Sequence, residues 1–204
     1  MSIKVVVIVY NRLSNVERWI KCWKKCEPMG ELVVVHNYDE GTNCYPYEHL
    51  CQENNIEYIK RLNVGMDIGA MQDVMNGLPY HILFWVTDDV IPMKKDFLKT
   101  YVEALTPDVG VVGMEISNFK SHHLRTTAFC IRKDVSDRLQ FPALPVTTKA
   151  HCYDFEHGQE DNMLMQVERM GLKVVQIKPL KESLLWDTEI TRFQRMEEHR
   201  REFE

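Results

Sequence analysis

The sequence predicts an α/β fold, a three-layer αβα sandwich with a central mixed, mostly parallel sheet. In the first half of the chain, short β-branched runs alternate with segments whose apolar residues recur at helical spacing, as in βαβ units. The run at residues 82–86 is apolar throughout, which is typical of a strand buried on both faces of a sheet. Because parallel strands joined by helices form right-handed crossovers, this order of elements restricts the chain to few topologies.

The elements of the first half rest on local patterns. The predicted strands are mainly apolar runs at residues 3–9, 32–35, 56–59 and 82–86. The predicted helices cover residues 16–26, 46–54 and 69–76. The first helix is amphipathic, because its apolar residues share one face: Val16, Trp19, Ile20 and Trp23.

The second half is less regular. Its predicted strands cover residues 109–114, 126–131 and 174–177, and its predicted helices cover residues 96–105 and 159–170. The last of these helices has an apolar face, and Gly171 follows it as a stop signal. Residues 187–204 mix acids with bases, so we expect a solvated helix there.

The composition limits the class of protein. A chain of 204 residues is long enough for one large domain, and 45% apolar residues are ample for its core. A formal net charge of −5 argues against a dedicated nucleic-acid binder, which carries a basic excess. No apolar run approaches the roughly 20 residues that span a bilayer, and no secretory signal pattern is present. The six cysteines form no Cys-x-x-Cys pair, so we expect a cytoplasmic location.

The strand at residues 82–86 ends in Thr87, Asp88 and Asp89. In open α/β sheets, ligands bind beyond the carboxyl ends of the strands. Two acids placed there can hold a hard divalent cation or bind sugar and ribose hydroxyls. Asp is also a common turn residue, so the pair alone is equally consistent with a simple strand stop.

Polar segments follow the other three strands of the first half, and in a parallel sheet they line the same edge as the acidic pair. Amides and a carboxylate suited to binding a base or ribose are those of Asn11, Asn37 and Asp39. Residues suited to a backbone turn beside a diphosphate are Asn63, Gly65 and Gly69. Each is an ordinary loop residue alone, and their shared position after a strand is what indicates a site.

A second acidic pair, Glu160 and Asp161, stands at the predicted start of the helix at residues 159–170. Acids in a first helical turn often serve only as partners of the helix dipole. Alternatively, a carboxylate on a rigid element can act as the general base that removes a proton from a sugar hydroxyl. Four histidines of the second half are expected to be solvated loop residues: His122, His123, His151 and His157.

These strand ends and acidic pairs together resemble the nucleotide-sugar-dependent glycosyltransferases of GT-A fold, especially the family 2-like branch. The resemblance covers about residues 3–178. Thr87-Asp88-Asp89 matches the Asp-x-Asp (DXD) motif, and Glu160-Asp161 matches the acidic pair that carries the catalytic base. The chain departs from the family pattern at Thr87, which replaces the first Asp, and at residues 36–39, which replace an acidic pair.

The resemblance implies transfer of a sugar from a nucleoside diphosphate sugar, expected to be a UDP-sugar, to a hydroxyl of a glycan or another acceptor. It implies that Asp89, with Asp88, binds Mn²⁺ or Mg²⁺, and that Asp161, with Glu160, supplies the base of an inverting displacement. The residues it implies for donor binding are Tyr10, Asn11, Arg12, Asn37, Asp39, Asn63, Gly65, Asp67, Gly69 and Asp88.

We expect one domain over residues 1–204, with a donor half at 1–92, an acceptor half at 93–180 and a charged helix or tail at 181–204. Two other functions stay open: a nucleotidyltransferase that makes sugar nucleotides, and a non-catalytic carbohydrate-binding domain of a larger protein. Such nucleotidyltransferases usually carry a glycine-rich phosphate loop after the first strand. Residues 9–14 contain no glycine, which favours the glycosyltransferase.

Overall fold

The computed structural model describes residues 1–26, 28–118, 121–143 and 154–177, together with the backbone of residues 185–187. In chain order, the strands are β1 (Ile3–Tyr10), β2 (Glu31–Tyr38), β3 (Glu57–Leu62), β4 (Ile82–Thr87), β5 (Val90–Pro92), β6 (Val109–Gly113), β7 (Ile116–Ser117), β8 (His123–Leu124), β9 (Ala128–Arg132), β10 (Lys173–Gln176) and β11 (Leu185–Asp187). The helices are α1 (Leu13–Cys26), α2 (Tyr45–Glu53), α3 (Met66–Gly77), α4 (Phe97–Ala104), α5 (Lys133–Ser136), α6 (154–157) and α7 (Met163–Arg169).

Seven strands form one mixed sheet in the order β10-β6-β9-β4-β1-β2-β3. The strand β1 is parallel to both β2 and β4, and β2 is parallel to β3. On the other side, β9 runs antiparallel to β4 and β6, and β10 is parallel to β6. The predicted α/β class with a mixed, mostly parallel sheet is therefore confirmed.

Helices cover both faces of this sheet. Alternate side chains of a strand point to opposite faces. Val5 and Val7 of β1 belong to a buried cluster with residues of α1, α2 and α4. Val6 and Ile8 belong to a second cluster with residues of α3, α5 and α7. Because β1 is buried from both sides, its sequence is apolar from Val5 to Val9 rather than alternating.

The helix α7 begins later than the sequence suggested. Asn162 has an extended backbone, with φ −84° and ψ 167°, and its side chain accepts a hydrogen bond from the Met165 amide at 3.0 Å. This is an N-cap, which ends the preceding loop and starts the helix at Met163. The predicted helix start at residue 159 was therefore wrong, and Glu160 and Asp161 lie in the bend before the helix.

Two small antiparallel sheets were not predicted. One pairs β5 with β11, and the other pairs β7 with β8. The helix expected at residues 187–204 lies outside the described residues, apart from the backbone of Asp187 in β11. Within the described ranges, no helix combines the length and the apolar character needed to cross a membrane.

Candidate functional site

The carboxyl ends of β1, β2, β3 and β4 meet at one edge of the sheet, because these strands are parallel. The amino end of β9 and the carboxyl end of β6 reach the same edge, since β9 runs antiparallel to β4 and β6. We refer to this surface as the strand-end edge. Ligands of open α/β sheets bind at such an edge.

Asp88 and Asp89 follow β4 and are almost fully buried, with 7% and 8% of their surface exposed. Asn15 Nδ2 donates to Asp88 Oδ2 at 2.8 Å, and Thr87 Oγ1 donates to Asp89 Oδ1 at 2.5 Å. Burial raises the pKa of Asp88 to about 6; the charge of Asp89 adds to this rise, and the Asn15 hydrogen bond opposes it. A divalent cation bound by these carboxylates would offset both their desolvation and their mutual repulsion.

Tyr10, Asp39 and Asn63 connect the ends of the three strands β1, β2 and β3. The Tyr10 hydroxyl donates to Asp39 Oδ2, and Asn63 Nδ2 donates to Asp39 Oδ1 at 3.4 Å. The hydrogen bond to Asp39 raises the pKa of Tyr10. Tyr10 and Asp39 are exposed and Asn63 is partly exposed, so a ligand at the edge can reach all three side chains.

Asn11 and Arg12 form the two-residue connection between β1 and α1. Asn11 has a φ of 51°, in the left-handed region that Asn tolerates better than most residues. Both side chains are exposed. The positive charge of Arg12 lowers the pKa of Asp88, although burial raises that pKa by more. The guanidinium of Arg12 is therefore within electrostatic reach of Asp88. A guanidinium there is suited to a diphosphate.

Asn37 is 3% exposed, and both ends of its amide are engaged within the protein. Its Nδ2 donates to the Met66 carbonyl at 3.0 Å, and its Oδ1 accepts from Arg61 Nη1 at 2.5 Å. Arg61 also donates to the Val64 carbonyl and to Asp73 Oδ2, both at 2.8 Å. The structure therefore places Asn37 where it fixes the turn between β3 and α3.

Two glycines give that turn its shape. Gly65 precedes α3 with a φ of 75°, a conformation that costs glycine little. A Cβ on Gly69 would lie 2.2 Å from the Val64 carbonyl oxygen, so the helix can approach the turn only without a side chain there. Asp67 lies partly exposed in the first turn of α3, where a carboxylate is stabilised by the helix dipole.

Glu160 and Asp161 are exposed in the bend before α7. Arg169 contacts both residues: its Nη1 donates to the Glu160 carbonyl at 3.2 Å, and its Nη2 forms an ion pair with Asp161 Oδ1. Both acids also line an open cleft of about 510 Å³. On the wall of this cleft, the rings of Phe141 and Phe155 stack with their centroids 4.7 Å apart. Aromatic rings beside carboxylates are suited to binding an organic ligand with polar groups.

Asn162 holds this acidic bend in place, a role that the sequence reasoning did not assign. Its side chain is fully buried, and Nδ2 donates to the Gly158 carbonyl at 2.8 Å and to the His122 carbonyl at 3.0 Å. One side chain thus caps α7 and joins the bend to the segment before β8. The Asn at the junction of loop and helix was a usable signal, because Asn is a preferred N-cap residue.

The expectation that His123 and His157 are solvated loop residues was wrong: His123 is buried, and His157 lies partly buried in α6, while His151 lies outside the described residues. His123 is 1% exposed because it lies in β8, against α7 and α6. Its ring contacts the ring of His157 at a centroid distance of 4.0 Å, and both lie beside Glu156. Thr126, just before β9, donates to Glu156 Oε2 at 2.8 Å, which places this group near the strand-end edge. His123 and Glu156 are far apart in the sequence, so no local pattern reveals the group.

The fold of this chain is similar to the folds of known structures. A mannosyltransferase from Pyrobaculum calidifontis, solved with GDP-Man and Mn²⁺, is similar with a TM-score of 0.64 and 14% identity; the match covers 86% of this chain and 54% of that one. A glucosyl-3-phosphoglycerate synthase from Mycobacterium tuberculosis, solved with Mn²⁺, UDP and glucosyl-3-phosphoglycerate, matches with a TM-score of 0.59 and 13% identity, over 87% of this chain and 69% of that one.

A CMP:2-keto-3-deoxy-manno-octonic acid synthetase, solved with CTP, matches with a TM-score of 0.55 and 10% identity, over 99% of this chain and 100% of that one. No protein-family model matches the sequence. The chain therefore spans about half the length of the mannosyltransferase and the full length of the synthetase. At identities of 10–14%, what these structures share with the chain is the fold, which is the GT-A type of nucleotide-sugar enzymes.

Proposed function

We propose that the chain is a metal-dependent glycosyltransferase that moves a sugar from a UDP-sugar to an acceptor hydroxyl with inversion. The observation that carries the proposal is the buried pair Asp88 and Asp89 at the carboxyl end of β4, in a GT-A fold. Neighbours of the same fold were solved with Mn²⁺ and a nucleotide or nucleotide sugar, which supports the same ligands for this chain.

The acidic pair has the chemistry that a hard divalent cation requires. Carboxylate oxygens are the ligands that Mg²⁺ and Mn²⁺ prefer, and the hydrogen-bond donor to Asp88 is the neutral amide of Asn15. Asp89 would be the primary ligand, and Asp88 would contact the cation or the ribose. Bound there, Mn²⁺ or Mg²⁺ supplies positive charge that offsets the charge on the departing diphosphate.

The donor lies along the strand-end edge. Tyr10, Asp39 and Asn63 are the accessible groups at the ends of β1, β2 and β3, and they contact the base and ribose. Arg12 is placed to contact the diphosphate, because its charge already acts on Asp88. Asn37 contributes by fixing the turn that contains Gly65, rather than by touching the donor.

The acceptor lies in the cleft beside Asp161. In this proposal Asp161 removes the proton of the acceptor hydroxyl, whose oxygen attacks the anomeric carbon as the bond to the diphosphate breaks. Asp161 is ion-paired with Arg169 on the surface, so the pair opens when the acceptor binds. Glu160, the other acid of the bend, lines the same cleft and binds the acceptor.

A nucleotidyltransferase is the second candidate, because the synthetase matches the whole chain. The connection between β1 and α1 opposes it. Only Asn11 and Arg12 separate the two elements, which leaves no glycine-rich loop to surround a triphosphate. A non-catalytic sugar-binding domain is opposed by the buried carboxylates of Asp88 and Asp89, since their burial costs folding energy without a cation or substrate to offset it.

Thermal-shift measurements with UDP-, GDP- and CMP-sugars, each with and without Mn²⁺, test the donor assignment. A ligand at 100 times its Kd stabilises the fold by about 2.7 kcal/mol, and we expect this only with UDP-sugar and Mn²⁺ together. Asp89→Ala should remove the effect. Asp161→Asn should retain it but lose transfer, measured as release of UDP in the presence of acceptors; Glu160→Gln should weaken acceptor binding and keep turnover.

Two results would reject the proposal. One is the absence of any Mn²⁺-dependent stabilisation by nucleotide sugars. The other is release of pyrophosphate from a nucleoside triphosphate and a sugar acid, which would establish the nucleotidyltransferase instead. Full activity of Asp161→Asn would leave the reaction assigned and remove Asp161 as its base.

A further inference from the structure

His123, Glu156 and His157 bring three potential metal ligands together from two elements of the chain. One ligand atom from each lies within 4.8 Å of the other two. His157 Nε2 is 3.7 Å from Glu156 Oε1, and the two imidazole rings meet edge to face at 68°. Ligands of a tetrahedral cation with bonds of about 2.0–2.1 Å lie roughly 3.4 Å apart, so small side-chain movements are sufficient to close the site.

Hydrogen bonds orient two of the three side chains, those of His123 and Glu156, as metal ligands are oriented. His123 Nδ1 donates to the Ser121 carbonyl at 2.9 Å, which leaves the lone pair on Nε2. Thr126 Oγ1 donates to Glu156 Oε2 at 2.8 Å, so Oε1 is the oxygen on the side of His157. Ligating histidines and carboxylates in proteins are oriented by such second partners.

Ser121 forms a hydrogen bond with the ring of His123 and another with the backbone of His157. Its carbonyl accepts from His123 Nδ1, and its hydroxyl donates to the His157 carbonyl at 2.7 Å. His123 is 1% exposed, while Glu156 and His157 are partly buried. The segments that carry the ligands are therefore tied together, and all three ligands have limited access to water, which strengthens their interaction with a cation.

We propose that His123, Glu156 and His157 form a zinc site that is separate from the acidic pair at the end of β4. Two imidazoles and one carboxylate form a His₂Glu set, which suits Zn²⁺. The pair Asp88 and Asp89 offers only oxygen and suits Mg²⁺ or Mn²⁺. Three protein ligands leave a fourth position for water or an anionic group. The bound zinc ties α6 to β8, next to the bend that carries Glu160 and Asp161.

Zinc binding by the EDTA-treated full chain tests this site. Wild type should bind one Zn²⁺ in competition with a chromogenic chelator, and Zn²⁺ should raise its melting temperature. Thr126→Val removes the hydroxyl that donates to Glu156 Oε2 and keeps the side-chain shape, so it should weaken binding about 10–100-fold, as loss of a second partner does. Glu156→Gln and His157→Ala each remove a ligand and should weaken binding by more than Thr126→Val. His122→Ala is the matched control, because His122 is an exposed neighbour whose Nδ1 contacts Asn118.

Cobalt separates this site from the oxygen-only pair. Co²⁺ bound by His₂Glu in four-coordinate geometry should give strong visible absorption, lost in His157→Ala and retained in Asp89→Asn. Circular dichroism verifies that each variant is folded. Equal zinc affinity in wild type, Glu156→Gln and His157→Ala overturns the proposal, as does a cobalt spectrum that depends on Asp89 alone. The readout is metal affinity, so the result does not depend on whether the chain transfers sugar.

Discussion

Thr87 donates a hydrogen bond from its hydroxyl to Oδ1 of Asp89 at 2.5 Å. Thr87 directly precedes Asp88 and Asp89 at the end of β4, and its hydroxyl orients the carboxylate of Asp89. The Thr87 amide also donates to the Thr127 carbonyl at 2.9 Å, which fixes the residue between β4 and the start of β9. Thr87 is therefore held by the sheet and in turn holds the carboxylate of Asp89 in one orientation.

Replacing Thr87 tests this orienting role. Thr87→Val removes the hydroxyl and keeps the shape, and it should weaken Mn²⁺ binding about 10–100-fold, as loss of a second partner does at other metal sites. Thr87→Ser keeps the hydroxyl and should bind Mn²⁺ nearly as wild type does. The free Mn²⁺ signal in electron paramagnetic resonance, recorded with UDP present, measures both. Equal affinity in the valine and serine variants would contradict the orienting role.

Two glycines of α3 should respond in opposite directions to the same change. Gly69→Ala places a Cβ 2.2 Å from the Val64 carbonyl oxygen, so it should destabilise the fold by about 1–3 kcal/mol through overpacking. At Gly77, the last residue of α3, an added Cβ meets nothing within 4 Å. Gly77→Ala should therefore be neutral or stabilising by up to about 1 kcal/mol, since Ala favours the helix. Urea unfolding of the three proteins gives the comparison.

Asn162 should be among the most sensitive polar residues of the acidic bend. Asn162→Ala removes the cap of α7 and leaves the carbonyls of Gly158 and His122 without their side-chain donor, so we expect a loss of about 2–4 kcal/mol. Asn162→Ser keeps an oxygen that can cap and should lose less. Urea unfolding measures both variants. A change below about 0.5 kcal/mol in Asn162→Ala would show that these hydrogen bonds contribute little.

The sheet could be predicted from the sequence because its strands carry long apolar runs. The strands β1, β2 and β4 are buried on both faces, so each contains a continuous run of apolar residues that the sequence shows directly. The short strands β5 and β11 carry no such pattern, since they pair with each other across a large separation in sequence. Their existence depends on tertiary contact rather than on local propensity.

The site could be predicted only as far as position along a strand determines it. Parallel β1, β2 and β4 are sufficient to place Tyr10, Asp39 and Asp88 on one edge. The orientation of a side chain near the end of a strand is decided by its partners: Asn37, within β2, is held against the turn before α3 by Arg61 and the Met66 carbonyl. The contact of His123 with His157 depends on the loop geometry around β8, which no periodicity encodes.

His36 should make stability depend on pH. It is fully buried in β2, stacks on Tyr47 at 3.9 Å and shares a hydrogen bond of 2.9 Å with the Tyr58 hydroxyl. Burial lowers the pKa of His36 from 6.5 to about 4. Between those two values the unfolded chain binds the proton and the folded chain does not. The free energy of unfolding should therefore fall as pH drops from about 6.5 to 4, by about 3 kcal/mol in all.

His36→Phe isolates this contribution. The phenyl ring can still stack on Tyr47 and cannot titrate, although it leaves the Tyr58 hydroxyl without its imidazole partner and should lower stability at neutral pH. The difference in unfolding free energy between wild type and variant, measured in urea at several pH values from 7.5 to 4.5, should shrink steadily below about pH 6.5. Other titrating groups contribute to both proteins and cancel in this difference. A difference that stays constant with pH would mean that the folded-state pKa of His36 equals its ordinary value.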